Sequence, residues 1–550
     1  MQTRNIGGEA GRRGFFGGTS NKTRSIALAV VAVAGAFLTV YTQAPGLIAT
    51  LAAAGLVWVL TLRTHRGSLL LRAAHSRRWR ERQRLGTASF APIATRALTL
   101  DDSEEAAKPS RGERRAHERA ERRWRECPDG VDGFHWLQRE EGLPGIALHV
   151  PTGEEAWLSV CFSVDGQVQG IASDTFLDDA MQAFGGVLNR FGNVTTLPNR
   201  LQSLTRVLPV DSARHEAWVW EQLDPTIAED DKAMMNLVAS YDEVVQLVRS
   251  FGLMQRHFVV IRWPITPAFL KAASRRGSAQ QGWRALMNAE IATVSAQLRR
   301  VRPGTTPMEV STLSARHLAA VLRHQQNPSW PLDDLDDIDV DAPWLPSADV
   351  LSATVVTSPG PDGNEQQWWH RTAELPIDAF ETGPRTSLWV APLLSQLGAP
   401  IVRTLSLQVE VVPAAVARTA ALSDLTADLA DLNAQRRKGS IDDSELAART
   451  IAARARLADL AVGSGYHGVG WAGHITVSGR NREDLTDAVD TVTAAAGDAG
   501  ISRLHWLDGE QAAAAASTWP LARGMQPLSR SGAARLQDLL AGTGSKEAIS

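Results

Sequence analysis

The sequence predicts an α+β protein: an N-terminal two-helix transmembrane hairpin followed by two ferredoxin-like α/β modules with helical insertions. Three observations carry this reading. Residues 25–62 contain no charged residue. From about 145 to 265 the pattern runs strand, helix, strand, helix, strand. The same succession returns between 403 and 520, with a long helical excursion after its first strand.

The apolar run reads SIALAVVAVAGAFLTVY, TQAPG, LIATLAAAGLVWVLTL. A helix crosses a bilayer core with about 17–25 apolar residues, so the run is too long for one span and suits two short ones. Pro45 and Gly46 lie at its middle, where a reversal is expected. Arg12, Arg13, Lys22 and Arg24 precede the run, and a dense arginine stretch follows it. Positive flanks favour the cytoplasmic side, so both termini are expected inside. A cleaved signal peptide is the competing reading, and the second apolar run with its arginine-rich stop argues against it.

Two cysteines, Cys127 and Cys161, in 550 residues offer no disulfide framework. The net charge of −3 hides a basic membrane-proximal part and a mildly acidic remainder. The expected organisation is a basic tail (1–24), the hairpin (25–62), arginine-rich juxtamembrane helices and linker (63–130), a first α/β module (131–265), a helical segment and acidic Pro-rich linker (266–350), a second α/β module (351–525) and a tail (526–550).

After the hairpin come Arg63, Arg66, Arg72, Arg77, Arg78, Trp79, Arg80, Arg82 and Arg84. Basic residues near anionic headgroups contribute about 1 kcal/mol each, and Trp favours the interface, so these nine are the candidate membrane-surface contacts. Direct nucleic-acid contact is not expected. A second basic cluster, 111–126, mixes Glu113, Glu118 and Glu121 with arginines three or four residues away, as in a solvated ion-paired helix. The stretch 86–110 reads as an irregular linker.

In the first module, 156–164 alternates as a strand and Asp174 can cap a helix whose apolar face is Phe176, Leu177, Ala180, Phe184, Val187, Leu188 and Phe191. Residues 201–210 read as a strand, 235–251 as a helix and 257–263 as a strand stopped by Pro264. Residues 267–326 are mostly helical by pattern. The following segment carries Asp333, Asp334, Asp336, Asp337, Asp339 and Asp341, but lacks the glycine and closing glutamate of a calcium loop, so a linker is expected. In the second module, 403–412 is a strand ended by Pro413. A helical hairpin follows: Leu422, Leu425, Leu429 and Leu432 form a stripe on its first helix, facing Leu446, Ile451, Leu457 and Leu460 on its second. That stripe is the candidate partner contact. Strand, helix and strand complete the module at 468–479, 481–500 and 501–507.

No catalytic, cofactor or metal residues are assigned. Gly463, Gly465 and Gly468 match a dinucleotide fingerprint, but they leave a helix and enter a strand, the reverse of what a pyrophosphate site needs. The tail 541–548 has Glu547 where a phosphate loop needs a hydroxyl. The histidines show no metal-helix spacing.

The order of these parts carries a resemblance. The hairpin, the arginine-rich exit, and the run from LSLQVEVVP through HITVSGRNREDL, GISRLHWL and STWPLARGM resemble an actinobacterial integral membrane family of conjugative elements. That C-terminal succession is similar to the N-terminal, non-ATPase part of the large type IV secretion ATPase, with a two-span membrane hairpin in front. The resemblance implies a non-catalytic scaffold or docking component of a conjugation-type secretion apparatus at the bacterial inner (cytoplasmic) membrane, with two spans and the bulk of the chain cytoplasmic. It implies membrane lipid, a separate ATPase and other machine subunits as partners, and oligomerisation within the machine. The sequence ends at Ser550, where the motor of that ATPase would begin, so ATP hydrolysis is expected from another subunit. Two alternatives stand beside it: a membrane component of a type VII (ESX-like) system, and a membrane-tethered enzyme of unknown activity.

Overall fold

The computed structural model describes residues 4–6, 22–60, 63–64, 67–98, 111–165, 173–193, 196–210, 218–219, 221–222, 232–301, 308–386, 388–395, 397, 400–437 and 444–524. Strand β1 (Arg4–Ile6) comes first. The charge-free run then folds as two helices packed on each other, α1 (Lys22–Thr42) and α2 (Ala44–Leu60). The chain reverses at Gln43, whose φ is 54°, and Pro45 sits in the first turn of α2, where its missing N–H costs nothing. The helices approach closely through Gly35: a Cβ there would meet Thr50 Cγ2 at 2.1 Å. Thr39, Thr42 and Thr50 donate to the carbonyls of Gly35, Leu38 and Gly46 at 2.7, 2.8 and 2.7 Å, so their hydroxyls are satisfied within their own helices. Among the described residues, no helix is long and apolar enough to cross a membrane.

Beyond the hairpin, β2 (Arg63–Thr64) and β3 (Gly67–Ser68) pair ahead of α3 (Leu69–Leu85). Next come β4 (Ser89–Pro92), α4 (Arg111–Glu121), β5 (Trp124–Arg125), β6 (Phe134–Gln138), β7 (Ile146–His149) and β8 (Trp157–Val164). They are followed by α5 (Asp174–Phe191), β9 (Arg200–Pro209), α6 (Lys232–Phe251), β10 (Leu253–Pro264), α7 (Pro267–Ser274), α8 (Ala279–Arg299), β11 (Val310–Thr312) and α9 (Ala315–Gln326). The second half holds β12 (Ser347–Val350), β13 (Ala353–Pro359), β14 (Glu365–Leu375), β15 (Gly383–Arg385), α10 (Ala391–Leu394) and β16 (Val402–Val412). It ends with α11 (Ala414–Arg437), α12 (Ser444–Asp459), β17 (Gly468–Gly479), α13 (Arg482–Asp498), β18 (His505–Trp506) and α14 (Gln511–Ala515).

The fold is α+β with one mixed 14-stranded sheet, ordered β5-β4-β12-β13-β14-β17-β16-β9-β10-β8-β7-β6, with β11 added on β8 and β18 on β14. Among the described residues, β4 with β5 is its one parallel pair. Strands β8 and β9 both run antiparallel to β10 between them, and α5 connects them: a split β-α-β unit. Strands β17 and β18 flank β14 in the same way, connected by α13. The two units share a single sheet, because β9 pairs with β16 from Arg403↔Val207 to Glu410↔Arg200.

One face of the sheet is apolar along its length. Leu158, Val160, Phe162, Leu201, Val259, Ile261 and Trp263 meet α5, α7 and α8. Ala373, Leu375, Leu405, Ile475 and Val477 meet α13. Ser173 caps α5, rather than Asp174, and Asn481 caps α13, accepting from Glu483 and Asp484 N at 2.9 Å each. The other face is covered by α9 and the segment 511–523. It is apolar around Phe258, Val260, Leu318 and Trp519, and polar over β9, β16, β17 and β14.

Several expectations change. The stretch 86–110 is not simply a linker, since β4 joins the sheet edge through β12 and β5. The acidic segment packs on the domain: Arg256 holds Asp333, Trp136 Nε1 donates to Val340 O at 2.9 Å, and β12 completes it. No cluster of three or more metal-ligating side chains occurs among the described residues. The glycines of 463–468 form a loop between α12 and β17, with φ of 88° at Gly463 and 74° at Gly465. The tail 541–548 lies outside the described residues.

Candidate functional site

Helix α3 leaves the apolar hairpin and docks on the sheet domain, and Arg82 is its anchor. Arg82 Nη1 donates to Asp349 Oδ2 at 2.6 Å and to Gly509 O at 2.9 Å, while Nη2 pairs with Asp129. Trp79 Nε1 donates to Asp349 O at 3.4 Å, one turn earlier on the same face. Asp349 also accepts from Ala512 N at 2.9 Å, so one carboxylate ties α3, β12 and the first turn of α14 together. Asp129 is shared with Arg125, whose Nη2 reaches Ser89 O at 3.3 Å.

The pair is asymmetric. The Asp349 side chain is 0 % exposed, and its burial pushes the carboxyl up to about 6 even with Arg82 beside it. Burial also works against the charge on Arg82, but Asp349 and Asp129 together raise its pKa above the ordinary value. Two further contacts extend the interface: Arg78 pairs with Glu510 at 3.2 Å, and the rings of His75 and His505 lie 6.3 Å apart. Burial and His505 lower the pKa of His75. His505 Nδ1 in turn faces Glu374 Oε2 at 3.2 Å.

The candidate membrane contacts therefore divide. Arg77, Arg80 and Arg84 are exposed at i, i+3 and i+7 on the side of α3 away from the domain. Arg82 and Trp79 are engaged by the domain and do not form part of that surface, which corrects the expectation for both. Arg78 is exposed but held by Glu510. Arg66 lies outside the described residues, as do the side chains of Arg63 and Arg72. The leucine stripe divides too. Leu432 is buried at 8 %, Leu425 and Leu429 are half-buried, and Leu422 is 46 % exposed. Ala421 and Asp428 share the inner face of α11 with Leu432, so a smaller face than four leucines is left for a partner.

A polar seam lies where the two split units meet. Gln202 Nε2 donates to Ser406 Oγ at 2.9 Å and Trp519 O at 3.0 Å, and its Oε1 accepts from Ala522 N at 2.8 Å. Thr372, Thr476 and Thr518 hydroxyls join in a row at 2.8 and 2.7 Å. His370 bonds Ser478 Oγ and Gln326 O, both at 2.8 Å. Arg523 lies 5.3 Å above the Trp157 ring and donates to Gly130 O and Asp132 O at 2.9 Å each, and to His149 Nδ1 at 3.0 Å. These groups strap 511–523 across the sheet. Burial holds His370 and His474 down to about 4 and His324 to about 3, so all three are neutral near pH 7. Burial raises the Cys161 thiol, keeping it protonated.

Asp349 and Asp129 escape sequence reasoning because Arg82, which they share, lies 267 and 47 positions away; Asp349 reads as one more acid of a linker. No family model matches the chain, and no curated protein is significantly similar to it.

Proposed function

We propose that the chain is a membrane-anchored scaffold and docking component of a bacterial conjugation-type (type IV-like) secretion apparatus, working beside a separate ATPase. The observation that carries the reading is the Arg82 clamp, which couples the hairpin's exit helix to a large sheet domain instead of leaving the domain on a free tether. Apolar side chains on the surface of the hairpin support its insertion in a bilayer. Val33, Phe37, Val40, Ile48, Leu51 and Leu56 are exposed on it, and its threonine hydroxyls need no water. Helix α1, of 21 residues, measures about 31 Å, close to a hydrocarbon core of about 30 Å, whereas α2, of 17 residues, measures about 25 Å and is shorter than that core. The row of Arg77, Arg80 and Arg84 then faces anionic headgroups, and Leu422 with Ile451, 58 % exposed, faces a partner subunit. Gln202, Thr372, Thr476, Thr518 and His370 are hydrogen-bonded across the seam, which supports a structural role for them.

The test is isolation of the tagged full-length chain from native membranes in mild detergent. Co-isolation with a hexameric ATPase encoded beside it supports the proposal. Co-isolation with small WxG proteins favours the type VII alternative, and a chain that isolates alone at every detergent strength overturns the docking role.

A further inference from the structure

Among the described residues, Arg206 on the seam is a cation without a counter-ion. Three arginines act on His324, and two of them have carboxylates: Arg256 holds Asp333 at 2.8 and 2.9 Å, and Arg323 faces Asp334 at 3.8 Å. The third, Arg206 on β9, is 0 % exposed, and no carboxylate pairs with it among the described residues. It reaches only neutral acceptors, Thr404 Oγ1 at 2.8 Å and His324 O at 3.5 Å, and its Nε has no partner. An unpaired guanidinium in a buried setting is strongly unfavourable.

The hydrogen bonds show where compensation can sit. Arg206 donates to Thr404, and Thr404 Oγ1 donates to Gln325 Oε1 at 3.2 Å. A donor chain starting on a cation thus ends at the Gln325 amide, which is buried and whose Nε2 has no partner. Gln325 lines a cavity of about 20 Å³ with Gln326, Ser347, Thr354, His370 and Thr476. That volume admits one occupant of about the size of water. His370 cannot serve as acceptor, since both its nitrogens are taken. Asp349, which neighbours Thr354 of the lining, has its charge matched by Arg82. Water would satisfy the amide and leave the charge; a small anion answers both.

We propose that this cavity, between α9 and strands β14 and β17, binds a monovalent anion of chloride size, held by the Gln325 amide and balanced by Arg206. Its occupant locks α9 onto the seam joining the two halves of the sheet. The test is thermal unfolding of the full-length protein in detergent while sodium gluconate is exchanged for sodium chloride at constant ionic strength. Because a ligand of the folded state stabilises by mass action, Tm should rise with chloride and saturate, bromide should substitute, and R206Q should lose the dependence. A flat wild-type response, or full chloride dependence in R206Q, overturns the proposal. If R206Q does not fold, wild-type crystals grown in bromide decide the matter. An anomalous peak beside Gln325 Nε2 supports the site, and a cavity without one overturns it.

Discussion

Replacing Arg82 by Met probes the clamp directly. The Arg82 and Asp349 side chains are 17 % and 0 % exposed, so solvent screens their interaction little. Removing one partner of a buried pair costs about 3–5 kcal/mol, because the remaining charge is left uncompensated. Asp129 keeps Arg125, so the loss falls on Asp349. The carboxyl can escape by taking a proton. Its folded pKa is already raised to about 6, and without Arg82 it rises further. A group raised in this way contributes stability at low pH that is lost as pH climbs through the folded pKa. The deficit of R82M against wild type should therefore be largest near pH 8 and shrink towards pH 6, by at most about 1.4 kcal/mol per pH unit. Adding D349N, which keeps an acceptor for Ala512 N, should recover part of the loss. Denaturant unfolding of the full-length proteins in detergent reads wild type and both variants. An R82M protein as stable as wild type at pH 8, or a deficit unchanged between pH 8 and 6, would refute the reasoning.

Acidification should destabilise the whole domain. Buried His370 and His474, held to about 4, and His324, held to about 3, contribute stability above about pH 6.5 that is lost as pH falls towards those values; Asp349 acts in the opposite sense but alone. Unfolding midpoints should fall between pH 7 and 4.5, and a flat profile would contradict this. Leu432→Glu should cost several kcal/mol and lower the melting temperature, whereas Leu422→Glu should leave it unchanged and weaken complex formation. If both unfold the protein, α11 serves internal packing only. The purified chain should bind no ATP in a calorimeter, and stoichiometric binding lost on changing Lys546 would place a nucleotide site in the tail.

Much of the fold is legible locally. The alternation of 156–164 and of 403–412 and the periodic apolar face of the helix after Ser173 each lie within one element, and each element forms. What connects elements is not local. Nothing near Arg206 or Arg403 announces that β9 and β16 pair and fuse two split units into one sheet. Arg82 and Asp349 meet across 267 positions, so an arginine that reads as one of a membrane-facing series becomes a clamp. The short strands β4, β5 and β12 take their conformation from pairing within the sheet and not from their own propensity, which is why β4 and β12 read as linker and β5 as the end of an ion-paired helix. The buried face of β16, with Thr404, Ser406 and Gln408, carries the pattern of an exposed strand; only the strap of 511–523 makes it interior.

The central claim is that a membrane hairpin carries this domain on the cytoplasmic side. Gln43 is the residue at which the chain reverses between α1 and α2, so it marks the tip of the hairpin. In a chain with Cys127 and Cys161 replaced, Gln43→Cys should react with a membrane-impermeant maleimide added to intact cells, and Ser550→Cys only after lysis. Labelling of Ser550→Cys in intact cells, or protection of Gln43→Cys until lysis, would contradict the account.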